Sequence, residues 1–555
     1  MKISDEGRLL IRAINNAKYT LEKLIKVKKL DRGILLRDYE SLFNNQFQGC
    51  INLNQYSDGD LFILIRKYSA TFDGTIEFAT PEIFYHLENN IEKRPLIGGV
   101  AFKLDSLSLD DEDSKYQALS TIFLHEFTHI LGFNKTIMQQ KNLIGIDENA
   151  KRRMNDNTYT KYSFIGTKAL NIAKSYFNCT SLTGIELDVV SGQETKEKDS
   201  TKTIHWNERI LMGDYMIPSL YYIEQAISEI TLASLEDLGY YEINYYTGGL
   251  MRFGKNKGCN FTSKDCIEAF FNISSTNPYD FKIALQSSFP NEFCSSVYEG
   301  ADNVFGTCSP GRQSMAFCFN RMSYPSISDN KDYKRAHFSN IGFNLALGFS
   351  PTQIIEFCPY SNSDISATNP IYDYNGYCNF GNSKYGDDLP FLNENSYSLI
   401  HDDILEEYTN NSFCAFSSIL KKDATDTHNI KGILRPTCYQ MLCSEKSLTI
   451  KIGDEYIVCP RQGGPIQLDS SSAYSGYLIC PDYNLICTGT KMCNNLFDCA
   501  QKESLYKNST YYYEYPYYPT NNISSEIKST NEASLSGEII TDKLYELGDD
   551  GLCPK

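Results

Sequence analysis

The sequence predicts an α+β fold in three parts: a mixed half running to about residue 133, a central segment over 134–258, and a cysteine-rich, mainly β region over 259–555. Three observations carry this. Strand-like and helix-like patterns alternate through the first part; a helix-spaced apolar run without interruption ends at Gly132; and of eighteen cysteines only Cys50 and Cys179 precede Cys259.

Taken in order, the chain opens directly on an amphipathic segment rich in Lys and Leu, with no basic-then-apolar leader. That start reads either as a truncated or mis-started product or as a chain that stays inside the cell. Strands follow at Leu61–Ile65 and Leu96–Phe102. Between them, Thr75, Ile76, Glu77, Phe78 and Ala79 alternate in polarity, a pattern shared by an edge strand, a buried strand and a surface hairpin. The next segment predicts a helix from about 115 to 132, because it has apolar residues at helical spacing and neither Gly nor Pro. Asp110, Asp111, Glu112 and Asp113 stand where the positive end of the helix dipole favours acids, and read as a solvated helix start. Gly132 suits a left-handed terminus.

That helix contains His125-Glu126-Phe127-Thr128-His129. Residues four apart return to one helical face, so both imidazoles can converge on one cation, with Glu126 beside them as a base. With only 7 histidines in 555 residues, chance is a poor explanation. A catalytic zinc needs three protein ligands and one open position. The compact continuation of the motif would place the third histidine at 135, where the chain has Lys135. His86, His337, His401 and His428 read as ordinary residues. His205 differs, since it precedes Trp206, the only tryptophan, and the methionine-bearing run Ile210-Leu211-Met212-Gly213-Asp214-Tyr215-Met216.

On these residues the chain resembles the leishmanolysin family of metzincin-type zinc proteases, which inserts a long segment between the helix glycine and the third histidine, as between Gly132 and His205 here. The family sets its turn methionine eleven residues after that histidine. Met216 matches and Met212 is the alternative. The likeness extends to Leu238-Gly239-Tyr240-Tyr241, to Gly258-Cys259-Asn260-Phe261 and to the cysteines from Cys438 to Cys487, and so covers roughly residues 10 to 490. The resemblance implies a metzincin-like catalytic domain and one Zn2+ held by His125, His129 and His205. It also implies Glu126 as general base, Met216 as the apolar floor, and protein or peptide substrates. Proteases of this class align substrate along a sheet edge, which makes Thr75–Ala79 the candidate strand.

Composition narrows the rest. A formal charge of −17 without basic clusters argues against nucleic acid. No apolar run is long enough to span a membrane and no lipid-anchor signal closes the chain. Cysteine content fits an extracellular or cell-surface setting. Sequons at Asn134, Asn178, Asn260, Asn272, Asn410, Asn508 and Asn522 are compatible with a secretory route and a glycoprotein. The stretch Gln193–Thr203 reads as an exposed mobile loop, and Tyr511–Tyr518 as part of a low-complexity tail. Two rival readings stay open: a zinc hydrolase with Glu148 as third ligand, and a non-catalytic surface protein with adhesion partners.

Overall fold

The computed structural model describes residues 5–27, 34–35, 56–57, 61–67, 79–85, 94–102, 112–151, 158–188, 204–218, 226–243, 251–264, 292, 306–312, 314–319, 360–362, 378, 404–409, 411–423, 434–444, 446–468 and 471–487. Helix α1 (Asp5–Leu24) turns Leu10, Ala13, Ala17 and Leu24, a stripe at helical period, into the core. It packs against helix α2 (Glu112–Leu131), with the Arg12 guanidinium 4.8 Å from the Tyr116 ring centroid. Helix α2 starts three residues earlier than expected, so Glu112 and Asp113 lie inside its first turn, where exposed N–H groups favour carboxylates.

Strands β1 (Ile25–Val27), β2 (Ile34–Leu35) and β3 (Tyr56–Ser57) are short. Strands β4 (Phe62–Lys67), β5 (Ala79–Tyr85) and β6 (Pro95–Phe102) form a sheet in the order β4-β6-β5, with β4 parallel and β5 antiparallel to β6. Of the strand expected at Thr75–Ala79, Ala79 opens the edge strand β5, while Thr75, Ile76, Glu77 and Phe78 lie outside the described residues. Pro81 sits within β5 opposite Val100, and a residue lacking an N–H is tolerated on an edge. Strand β6 passes so close under α2 that a β-carbon on Gly98 would lie 2.4 Å from Ile130 Cγ2.

After helix α3 (Lys135–Gln140) comes an antiparallel sheet of β7 (Ile144–Lys151), β8 (Thr158–Phe164), β9 (Ile185–Asp188) and β10 (His205–Trp206), ordered β10-β9-β8-β7. Helices α4 (Thr167–Tyr176), α5 (Glu208–Leu211), α6 (Glu229–Asp237) and α7 (Gly258–Ser263) complete this part, and β11 (Tyr241–Ile243) pairs with β1. One apolar core runs through it from Leu10 to Phe261. Asp237 of α6 accepts from the N–H groups of Lys168 and Ala169, capping α4 from a neighbouring helix, and Cys179–Cys259 ties the end of α4 to α7.

Beyond it lie β12 (Gly306–Cys308), β13 (Met315–Phe319) and β14 (Tyr360–Asn362) in one antiparallel sheet. A larger sheet is built from β15 (Ser412–Ser417), β17 (Arg435–Cys443), β18 (Leu448–Ile452), β19 (Glu455–Cys459), β20 (Gly464–Gln467) and β22 (Tyr477–Cys480). The pair β16 (Leu420–Lys421) and β21 (Tyr474–Ser475) and helix α8 (Tyr483–Cys487) border it. The mainly β reading of this region matches its described residues. The disulfides among its described residues are Cys308–Cys414, Cys378–Cys438, Cys443–Cys487 and Cys459–Cys480. Cys50, His86, His337, His401, His428, the Gln193–Thr203 loop and Tyr511–Tyr518 lie outside the described residues.

Candidate metal centre

Helix α2 is buried on all sides along the stretch that carries the histidines, and its end does more than stop it. Gly132 has φ +124°, and the N–H groups of Gly132 and Phe133 bond back to the carbonyls of His129 and Thr128, the paired bonds of a Schellman turn. This reversal carries the Phe133 carbonyl back to His129, whose Nδ1 lies 2.7 Å from it. His125 Nδ1 lies 2.8 Å from the Tyr215 carbonyl. A carbonyl only accepts, so both rings carry their proton on Nδ1 and present a bare Nε2.

Those two Nε2 atoms are 3.0 Å apart, and each is 3.2 Å from His205 Nε2. Between His125 and His129 lone pair faces lone pair, which is not a hydrogen bond; it is what a cation between the rings would reconcile. The separations approach the roughly 3.3–3.4 Å edge of a tetrahedron with Zn–N bonds of about 2.0–2.1 Å. This trio is the one group of His, Cys, Asp or Glu able to hold a metal ion among the described residues. An all-nitrogen donor set of neutral imidazoles suits zinc, so the residues fit the ion. Glu148 is exposed on β7 and does not join the group, which removes the rival carboxylate ligand.

His205 arrives on β10, which pairs with β9 so that His205 faces Asp188 and Trp206 faces Leu187. Successive strand residues point to opposite sides. Trp206 turns into the core against Phe133 and Phe164, with ring centroids at 5.0 and 5.8 Å, leaving His205 directed to α2. Its Nδ1 is buried without a hydrogen-bond partner among the described residues. Met216 is fully buried and its carbonyl accepts from the Trp206 N–H, binding the methionine turn to the histidine strand; Met212 is buried at the end of α5.

Burial dominates the electrostatics. Desolvation lowers His125 to about 4, and lowers His129 to about 3 with help from its histidine neighbour. It also holds His205 well below its ordinary value. All three rings are therefore neutral and ready to ligate. Desolvation raises Glu126 to about 8, and its Oε2 has no hydrogen-bond partner among the described residues.

Sequence reasoning missed the clamp around these groups. Thr128 donates to the Leu124 carbonyl, so the Tyr215 hydroxyl is the donor in its 2.9 Å bond to Thr128. Tyr215 thus grips α2 twice, by its carbonyl and by its hydroxyl. The visible signal was Asp214, a lone acid in an otherwise apolar run, since a buried acid requires partners.

The sequence model of the leishmanolysin family matches residues 57–320, which enclose the whole site. Similar proteins include a leishmanolysin-like peptidase of Caenorhabditis elegans, 25% identical over 40% of this chain and 36% of its own. Another, from Drosophila melanogaster, is 23% identical over 57% and 42% respectively. The leishmanolysin of Leishmania tropica is 22% identical over 68% and 48%. The chain thus spans less than half the length of these relatives. Residues 57–320 thus carry the leishmanolysin family's domain, built around a three-histidine group that could hold a metal ion.

Proposed function

We propose that this protein is a zinc-dependent endopeptidase in which His125, His129 and His205 hold one zinc ion, Glu126 is the general base and Met216 floors the site. The observation that carries the proposal is the convergence of three imidazole Nε2 atoms within 3.0–3.2 Å of one another, those of His125 and His129 left bare by the carbonyls on their Nδ1 atoms. Bound there, zinc would supply Lewis acidity, polarising a peptide carbonyl and acidifying water. Glu126 would take the water proton on its unpartnered carboxylate oxygen and pass it to the departing amine nitrogen. Its raised pKa makes the carboxylate a better base, and a neighbouring divalent cation draws that value back towards neutrality.

Substrates would be proteins or peptides, held extended along β5 by main-chain pairing at the sheet edge. Five disulfides among the described residues, together with these relatives, support an extracellular or surface setting. No helix among the described residues is long and apolar enough to cross a membrane. A non-catalytic surface protein would have no use for a buried, unpartnered carboxylate beside three histidines. The test is casein cleavage by the purified chain with and without chelator, beside Glu126→Gln. The variant should keep its zinc and lose activity by about 10²–10⁴-fold. Undiminished cleavage by the variant, or by chelated wild type, overturns the proposal.

A further inference from the structure

The Asp214 carboxylate lies among donors. Its Oδ1 accepts from the Met216 N–H at 2.6 Å, and its Oδ2 from the Thr231 hydroxyl at 2.7 Å. Ser228 also bonds to it through its side chain and backbone. The same Thr231 oxygen accepts from the Trp206 indole N–H at 2.7 Å. One path therefore runs from the residue beside His205, through Trp206 and Thr231, to Asp214 and on to the Met216 amide. Every link is buried and every proton has a single direction, because the indole only donates and an ionised carboxylate only accepts. The far end of the path is the turn whose carbonyls meet His125, from Tyr215, and Trp206, from Met216.

The contrast among the three rings gives the path its purpose. His125 and His129 each have a carbonyl on Nδ1; among the described residues His205 has no such partner, so its orientation comes from the strand that carries it. We infer that Asp214 and Thr231 are positioning residues of the metal centre, holding the His205 strand and the methionine turn in the register that lets the third imidazole meet the other two. Neither touches the ion or the substrate. The inference rests on the three-histidine reading above and adds to it a specific device that sets metal affinity.

The test uses the full chain. Thr231→Val keeps the volume and removes the hydroxyl from both bonds, Thr231→Ser keeps the hydroxyl, and Trp206→Phe removes the indole donor. Zinc dissociation constants are measured by chelator competition, beside thermal unfolding of the zinc-free proteins. Losing a partner outside the ligand shell costs about 10–100-fold in metal affinity, the loss expected for Thr231→Val and Trp206→Phe, with Thr231→Ser close to wild type. Wild-type zinc affinity in folded Thr231→Val or Trp206→Phe overturns the inference. So does equal weakening in Thr231→Ser and Thr231→Val, or a lowered unfolding temperature with unchanged affinity, which is the mark of a merely structural role. His205→Ala separates the two levels: unweakened zinc binding there sinks the three-histidine reading itself, whereas lost binding there beside an intact Thr231→Val sinks only this inference.

Discussion

The two halves of the metal site are built differently. His125 and His129 stand one turn apart on a single helix, so their shared face follows from local sequence; the glycine turn fixes the tautomer of His129, and only that of His125 calls on a distant carbonyl, from Tyr215. His205 comes from 76 residues further on, on a two-residue strand, and depends on a sheet, a turn and a buried polar path to reach the same point. The helix half is specified by spacing; the strand half is specified by tertiary contacts. Errors in the first should abolish the site, while errors in the second should loosen it by degrees.

The largest effects should expose that asymmetry. His129→Ala and His205→Ala should each weaken zinc by more than the roughly 10–100-fold cost of losing an outer partner. His205→Ala should retain the greater remnant, because two aligned imidazoles survive on α2. Chelator competition checks it, and a stronger remnant in His129→Ala would reverse the comparison. Packing comes next. A β-carbon on Gly98 would meet Ile130 Cγ2 at 2.4 Å, under the helix half, whereas one on Gly213 would meet Met251 Cγ at 3.0 Å, beside the turn. Gly98→Ala should destabilise by about 1–3 kcal/mol and Gly213→Ala by less, read from denaturant unfolding. Equal costs would mean that α2 can give way over β6.

A pH series then isolates the base. Burial raises Glu126 from 4.5 to about 8 in the folded chain, so its contribution favours folding fully below pH 4.5 and is lost as pH climbs through 8. Zinc-free Glu126→Gln lacks that dependence. It should outlast zinc-free wild type by a margin on the order of several degrees in Tm, opening above pH 4.5 and complete above about pH 8. A margin constant with pH contradicts the raised value. The smallest effect lies just past the helix: Asn134 Oδ1 accepts from the N–H groups of Thr136 and Ile137, capping α3, so Asn134→Ala should cost about 1 kcal/mol and leave zinc affinity unchanged. As a buried cap, Asn134 should also carry no glycan, whereas Asn178 and Asn260 are exposed at either side of the Cys179–Cys259 bridge; glycopeptide mass spectrometry of secreted protein decides this.

The same asymmetry governs what could be read in advance. Helix α2, its glycine terminus and the paired histidines were legible because residues three to five apart dictate them. His205 was legible only through its distance to Met216, and the bonds from Trp206 through Thr231 to Asp214 were not, since they join three elements that meet only after folding. Thr231, set between Ile230 and Leu232 in the first turn of α6, and Ser228 just before that helix were the available hint. The edge strand was sought in the alternation of Thr75–Ala79; the last of these residues opens the described strand, which contains Pro81, a residue whose presence itself points to an edge. In the C-terminal region the β18 pattern, with Leu448, Ile450 and Ile452 inward, is plain alternation. Cysteine pairing was closed to inspection, because bridges such as Cys308–Cys414 and Cys378–Cys438 are set by which strands become neighbours.

Because the three donors are all ring nitrogens, with no carboxylate oxygen among them, the cradle discriminates between classes of ion. Calcium and magnesium, which seek oxygen, should pass it by. Cobalt(II) should settle in, and its visible colour would turn an otherwise silent centre into one that reports its own occupancy in an ordinary cuvette.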